Sequence, residues 1–219
     1  MWVKVCGIRD CETANQLAEL GVDAIGLNFY SGSPRVVGFD DAIKISQTLP
    51  KEVVRVGVFV NHSIDEIEIT ASRCRLDMLQ LHGDEPPAFV GELQRRLPHL
   101  RIIRAWRMGN DRLGDLETYL KECRSLKCEL AACLVDAHVA GLYGGSGKTV
   151  PWEQLALAYQ FENWPPLILA GGLNASNVSL AIKSARPWGV DVASGVESSP
   201  GVKEIELVRQ FLWNARNAK

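Results

Sequence analysis

The chain has 219 residues, of which 47% are hydrophobic and 23% charged, and its formal net charge is -2. That is enough to bury one large core and hardly two, so a single domain spanning 1–219 is expected. The balanced charge offers no broad basic field for nucleic acid, and no run approaches the roughly 18–20 apolar residues of a membrane span. With no apolar leader ending in small residues at the N-terminus, the expected location is the cytoplasm.

Short Val/Ile/Leu-rich runs alternate with longer stretches of helical periodicity from end to end, the pattern of repeated βαβ units. The first strand, Val3–Cys6, is followed by a helix over Cys11–Leu20 that Gly21 stops. A second strand, Ala24–Phe29, leads through a long loop to a helix over Asp40–Thr48. The third strand, Val53–Val60, precedes a helix over Ile64–Arg73 for which Ser63 is the cap. Next come strand Met78–Leu81 with helix Pro86–Leu97, its proline suited to a first turn, and strand Arg101–Trp106 with helix Asp111–Cys123. The last three units pair Ala132–Asp136 with Trp152–Tyr159, Leu167–Ala170 with Ala175–Ser184 capped by Asn174, and Val190–Ala193 with Lys203–Arg216. Eight such units in a chain of this length predict an α/β fold, a (β/α)8 TIM barrel; a doubly wound open sheet has the same alternation.

In a barrel, chemistry sits at the C-terminal strand ends. Those ends carry Cys6, Asn28, Asn61, His82, Arg107, Asp136, the Gly171-Gly172 pair and Ser194-Gly195. Cys6 and Asp136 each close an apolar strand with one reactive group, as a proton-transfer pair requires, although Cys6 taken alone reads more readily as a small buried hydrophobe. Partial burial of Asp136 among Cys133, Leu134 and Val135 is expected to raise its pKa and fit it as a general acid. Arg35 in the second loop reads either as an ordinary solvated charge or, braced by Pro34 over the site, as a planar fork for a substrate carboxylate. His82 reads as a packed strand-end residue with no proton-transfer role.

The glycine loops after strands six, seven and eight suit an anion, because glycine lets backbone amides approach phosphate oxygens closely. Candidate phosphate-binding residues are Gly145, Gly147, Gly171, Gly172, Ser194 and Gly195. The GKT at Gly147–Thr149 is not a nucleotide P-loop, since the position five before Gly147 is Leu142. Six cysteines without a CxxC pair read as free thiols, and four histidines without ligand spacing predict no metal site.

Several of these segments resemble phosphoribosylanthranilate isomerase of tryptophan biosynthesis: VKVCGIRD from Val3, GLNFYSGSPRVV from Gly26, LQLHGDE from Leu79, LVDA from Leu134, LAGGLNASNV from Leu169 and GVDVASGVESSPGVKE from Gly189. The resemblance implies a cofactor-free Amadori rearrangement of N-(5-phosphoribosyl)anthranilate. Asp136 then protonates the ring oxygen as general acid, Cys6 removes the C2 proton as general base, and Arg35 lies near the anthranilate carboxylate. It implies as partners a small phosphorylated aminosugar substrate and, among proteins, enzymes of the same pathway. The sixth loop departs from the family's usual pattern, with Ser146 for threonine and with Lys148 and Val150-Pro151 before Trp152. Two rivals remain at this stage: an isomerase of a histidine-pathway aminoaldose, which uses two aspartates, and a non-catalytic barrel that binds a sugar phosphate.

Overall fold

The computed structural model describes residues 1–108, 113–137 and 151–218. Eight parallel strands among them close into a barrel in chain order, which removes the open-sheet alternative. They are β1 (Trp2–Cys6), β2 (Ala24–Asn28), β3 (Val54–Phe59), β4 (Met78–Leu81), β5 (Arg101–Met108), β6 (Ala132–Ala137), β7 (Leu167–Leu169) and β8 (Gly189–Val192). The helices between and after them are α1 (Cys11–Glu19), α2 (Phe39–Thr48), α3 (Ile64–Arg73), α4 (Pro87–Arg96), α5 (Gly114–Ser125), α6 (Trp152–Ala158), α7 (Val178–Ala185) and α8 (Ile205–Arg216).

Successive strand residues face opposite sides, and here both sides are buried. Val3, Val5, Ile25, Leu27, Leu79 and Leu81 face outward into the core beneath the helices. Ala24, Val56, Met78, Ile103, Leu134 and Ile168 fill the barrel interior. Closure is made by β1 and β8, whose register pairs Trp2 with Gly189, Lys4 with Asp191 and Val5 with Val192. Trp2 leaves no room for a side chain at position 189: a Cβ there would sit 2.9 Å from the Trp2 ring.

Local signals set the helix starts. Asp10 caps α1 by accepting from the Thr13 amide at 2.7 Å. Ser63 and Glu66 form a reciprocal capping box on α3. Asn174 does not cap α7 as expected; its Oδ1 accepts from the amides of Ser176 and Asn177 at 2.9 and 3.2 Å, building a turn ahead of the helix. The sequence reading also missed a hairpin after β8, where a 3₁₀ turn (Ser194–Val196) leads into β9 (Glu197–Ser199) and β10 (Val202–Lys203). This hairpin shortens the last helix, which begins at Ile205 rather than Lys203.

Candidate active site

Cys6 ends β1 and points into the barrel mouth over Gly26, its register partner on β2. A Cβ on Gly26 would lie 2.6 Å from the Cys6 sulfur, so the thiol occupies the space a side chain would need. The chain then turns through Gly7 at φ +84, a left-handed conformation suited to glycine. The amides of Gly7 and Ile8 both donate to Gly26 O, at 2.9 and 3.0 Å, so they are not spent on the thiol. What acts on the thiol is burial and charge. Burial pushes its pKa up, Lys4 pulls it down, Asp191 pushes it up and Lys203 pulls it down, for a net rise.

Asp136, 4% exposed, stands across the same cleft at the end of β6. Its Oδ2 lies 3.9 Å from Nε2 of His82. Gln80 places its amide nitrogen 2.9 Å from His82 Nδ1. With Nδ1 engaged by Gln80, the ring nitrogen that faces Asp136 is Nε2. Burial first, then the charges of Lys4, Arg104 and Arg107, lower the His82 pKa to about 3 and keep the ring neutral.

Arg35 reaches the cleft from the loop after β2. Asn28 organises that loop: its Oδ1 accepts from the Tyr30 amide at 2.9 Å, and its Nδ2 donates to Ser33 Oγ at 3.1 Å. The Arg35 side chain packs along Gly7, where a Cβ would fall 2.8 Å from Arg35 Cδ. Its Nε and Nη2 donate to the two carboxylate oxygens of Glu197 at 2.8 and 2.7 Å. Part of the fork expected for a substrate carboxylate is thus held by the protein's own glutamate. Lys203 donates to the same Glu197 at 2.6 Å and to Ala193 O at 3.1 Å. Burial raises the Glu197 pKa, but the hydrogen bonds from Arg35 and Lys203 outweigh it and hold the carboxyl below its ordinary value.

Gly171 and Gly172 follow β7 at φ +85 and +62 and line the cleft with Ser194. A Cβ on Gly195 would overlap the Leu173 carbonyl, so this glycine lets the loops after β7 and β8 come together. Gly145 and Gly147 lie outside the described residues. Among the described residues no three His, Cys, Asp or Glu side chains are grouped to hold a metal ion. The residues the sequence reading missed are Lys4, Asp191, Glu197 and Lys203. Lys4 and Asp191 had a signal, since each is a charge between two valines of an interior strand.

A closed parallel barrel with a thiol and a carboxyl group from different strands facing one cleft at its C-terminal mouth has the architecture of an enzyme of the (β/α)8 class. The family model for N-(5'-phosphoribosyl)anthranilate (PRA) isomerase matches residues 3–214. The N-(5'-phosphoribosyl)anthranilate isomerase of Geobacter metallireducens is 41% identical, covering 98% of both chains. That of Acidithiobacillus ferrooxidans is 39% identical over 98% of this chain and 97% of its own. Among solved structures, phosphoribosyl anthranilate isomerase from Thermotoga maritima superposes with a TM-score of 0.83 at 37% identity, covering 98% of both chains. A phosphoribosyl anthranilate isomerase in complex with reduced 1-(o-carboxyphenylamino)-1-deoxyribulose 5-phosphate gives 0.82 at 36% identity, over 98% of this chain and 97% of that one. The chain belongs to the N-(5'-phosphoribosyl)anthranilate isomerase family.

Proposed function

We propose that the chain, working as one barrel domain over 1–219, converts N-(5-phosphoribosyl)anthranilate to 1-(2-carboxyphenylamino)-1-deoxyribulose 5-phosphate, with Asp136 as general acid and Cys6 as general base. Asp136 gives its proton to the furanose ring oxygen; the C1–O bond breaks and the anilino nitrogen's lone pair forms a C1=N iminium. The Cys6 thiolate takes the proton from C2, and the C–H electron pair moves into the C1–C2 bond as the iminium π pair returns to nitrogen. The resulting enolamine tautomerises, gaining a proton at C1 and losing one from the C2 hydroxyl. Neutral His82 beside Asp136 takes up no proton.

The phosphate is assigned to the loops after β7 and β8, where Gly171, Gly172 and Ser194 line the cleft and Gly195 holds the two loops in contact. Arg35 turns the part of its guanidinium not taken by Glu197 to the anthranilate carboxylate. The reaction belongs to tryptophan biosynthesis in the cytoplasm, and the enzymes that supply and consume these two compounds are the functional partners. Among the described residues no helix is long and apolar enough to cross a membrane.

The observation that carries this reading is the meeting of Cys6, Asp136 and Arg35 in one cleft from three strands and loops far apart in sequence. The test is loss of anthranilate fluorescence on adding fresh phosphoribosylanthranilate, with Cys6→Ala as control for spontaneous decay. Turnover by the chain and a rate lower by about 10²- to 10⁴-fold in Cys6→Ala support the assignment. Absence of turnover in the folded protein overturns it.

A further inference from the structure

Lys4 is 0% exposed, heads the largest fully buried side chains among the described residues, and lies inside the barrel. Its Nζ donates to Asp191 Oδ1 at 2.9 Å, across the β1–β8 seam where the two are register partners. Lys4 and Cys6 are two apart on β1 and so share its inward face. The ammonium, tied to Asp191, therefore lies on the same inward face as the thiol, and its charge pulls the Cys6 pKa down.

Packing does not call for such a pair. The neighbouring interior positions are Ala24, Val56, Met78 and Ile168. Taking two charges out of water is expensive, and replacing a buried ion pair by apolar groups is often neutral or stabilising. A charge pair kept there, next to a reactive thiol, fits a site that adjusts that thiol.

We propose that Lys4 and Asp191 are positioning residues that set the basicity of Cys6: the Lys4 ammonium holds the thiolate, and Asp191 competes with the thiolate for that ammonium. This rests on Cys6 being the base. In each turnover the S⁻ of Cys6 takes the C2 proton and becomes S–H. Lys4 stays an ammonium throughout, and the thiol's proton later leaves to water through the open cleft. Burial lowers the Lys4 pKa, but Asp191 and Cys6 outweigh it and keep the amine charged.

The other groups facing Cys6 do not substitute for the pair. Lys203, from β10, also pulls the thiol down, but it is tied to Glu197 and to Ala193 O. Arg35, over Gly7, is held by Glu197. β2 presents Gly26 and Asn28; from β4 come Gln80 and neutral His82, and from β6 comes Asp136 across the cleft.

The two residues push the thiol in opposite directions, which a merely structural role would not do. The experiment follows iodoacetamide alkylation of the Cys6 peptide by mass spectrometry across pH in the full chain, with Cys6→Ser as blank. It uses Lys4→Met, Asp191→Asn and the double variant, and reads kcat and KM beside the alkylation midpoint. The Lys4→Met midpoint is expected to rise by about one pH unit or more, with kcat at neutral pH at least tenfold lower and KM within threefold. Asp191→Asn is expected to lower the midpoint. The double variant, which buries no unpaired charge, is expected to lie above wild type because Lys4 outweighs Asp191. If Lys4→Met does not fold, the double variant decides. Single shifts of the same sign, or a double variant at or below the wild-type midpoint, overturn the proposal. The midpoint is read without turnover. Persistence of activity in Cys6→Ala would therefore remove the base assignment and leave the tuning measurement standing as a separate result.

Discussion

Cys6 is fitted to its space by what β2 lacks. Putting a methyl on Gly26, 2.6 Å from the sulfur, forces the thiol off its line into the cleft. Gly26→Ala is therefore expected to lower kcat by tenfold or more while lowering the melting temperature by a few degrees, checked by steady-state kinetics and thermal unfolding. Arg35 makes a different prediction. Arg35→Ala is expected to raise KM more than it lowers kcat, because it removes an anchor rather than a proton carrier; an unchanged KM would remove it from the carboxylate role. At this scale the strand-end rule pointed to Cys6 and Asp136, and the family resemblance, more than the residues alone, gave them and Arg35 their roles; the structure brings the three to one cleft. Lys4 and Asp191 stayed hidden for a physical reason. A charge alternating with valines reads as a solvent-facing position in a half-buried strand, whereas a barrel strand has no solvent face.

Between elements, the hairpin of β9 and β10 links the loop after β2 to the end of the barrel. Glu197 on β9 grips Arg35 through two oxygens, and Lys203 on β10 grips Glu197 and the Ala193 carbonyl. Glu197→Gln keeps the size but weakens the fork. It is expected to raise KM in the same direction as Arg35→Ala but by less, with the double variant no worse than Arg35→Ala alone. A double variant whose effects add fully would break the link. At the helices, removing the α3 cap with Ser63→Ala is expected to cost about 1 kcal/mol in urea unfolding, with no change in kcat. The strands and helices were legible to within a few residues, since their periodicity runs over several turns or pleats. The hairpin was not, because strands of three and two residues around Gly201 are too short to show alternation. Asn174 misled in another way: its residue type correctly marked a turn, but the amides it binds precede α7 rather than begin it.

For the molecule as a whole, alternation of strand and helix could not separate a closed barrel from an open sheet, because both bury strands between helices. The separation lies in the contact of the first strand with the last, a pairing with no local trace in the sequence. The buried neutral imidazole gives the folded state a pH signature. His82 has a folded pKa near 3 against about 6.5 when unfolded, so between those values the unfolded chain binds a proton that the folded chain refuses. Its contribution is present above about pH 6.5 and is lost as pH falls toward 3, at up to about 1.4 kcal/mol per pH unit. Glu197, held below its ordinary value, adds a loss of the same sign at lower pH, below the ordinary carboxylate range. Urea unfolding between pH 7 and 5 is thus expected to show a slope that His82→Gln flattens by about one proton; an unchanged slope would remove His82 as its source.

The seam between β1 and β8 also orders events in time. Lys4 emerges from synthesis 187 residues before its carboxylate. Joining ends that far apart costs about 4–5 kcal/mol of chain entropy, so this pairing is among the last to be favourable. Until β8 docks, an ammonium meant for the interior has no counter-charge and is better left in water, which disfavours a prematurely sealed, seven-stranded intermediate. The same docking brings Asp191 beside Lys4 and the glycine loops beside Cys6. Assembly and activation are thereby one event: a chain that turns over substrate has completed its ring.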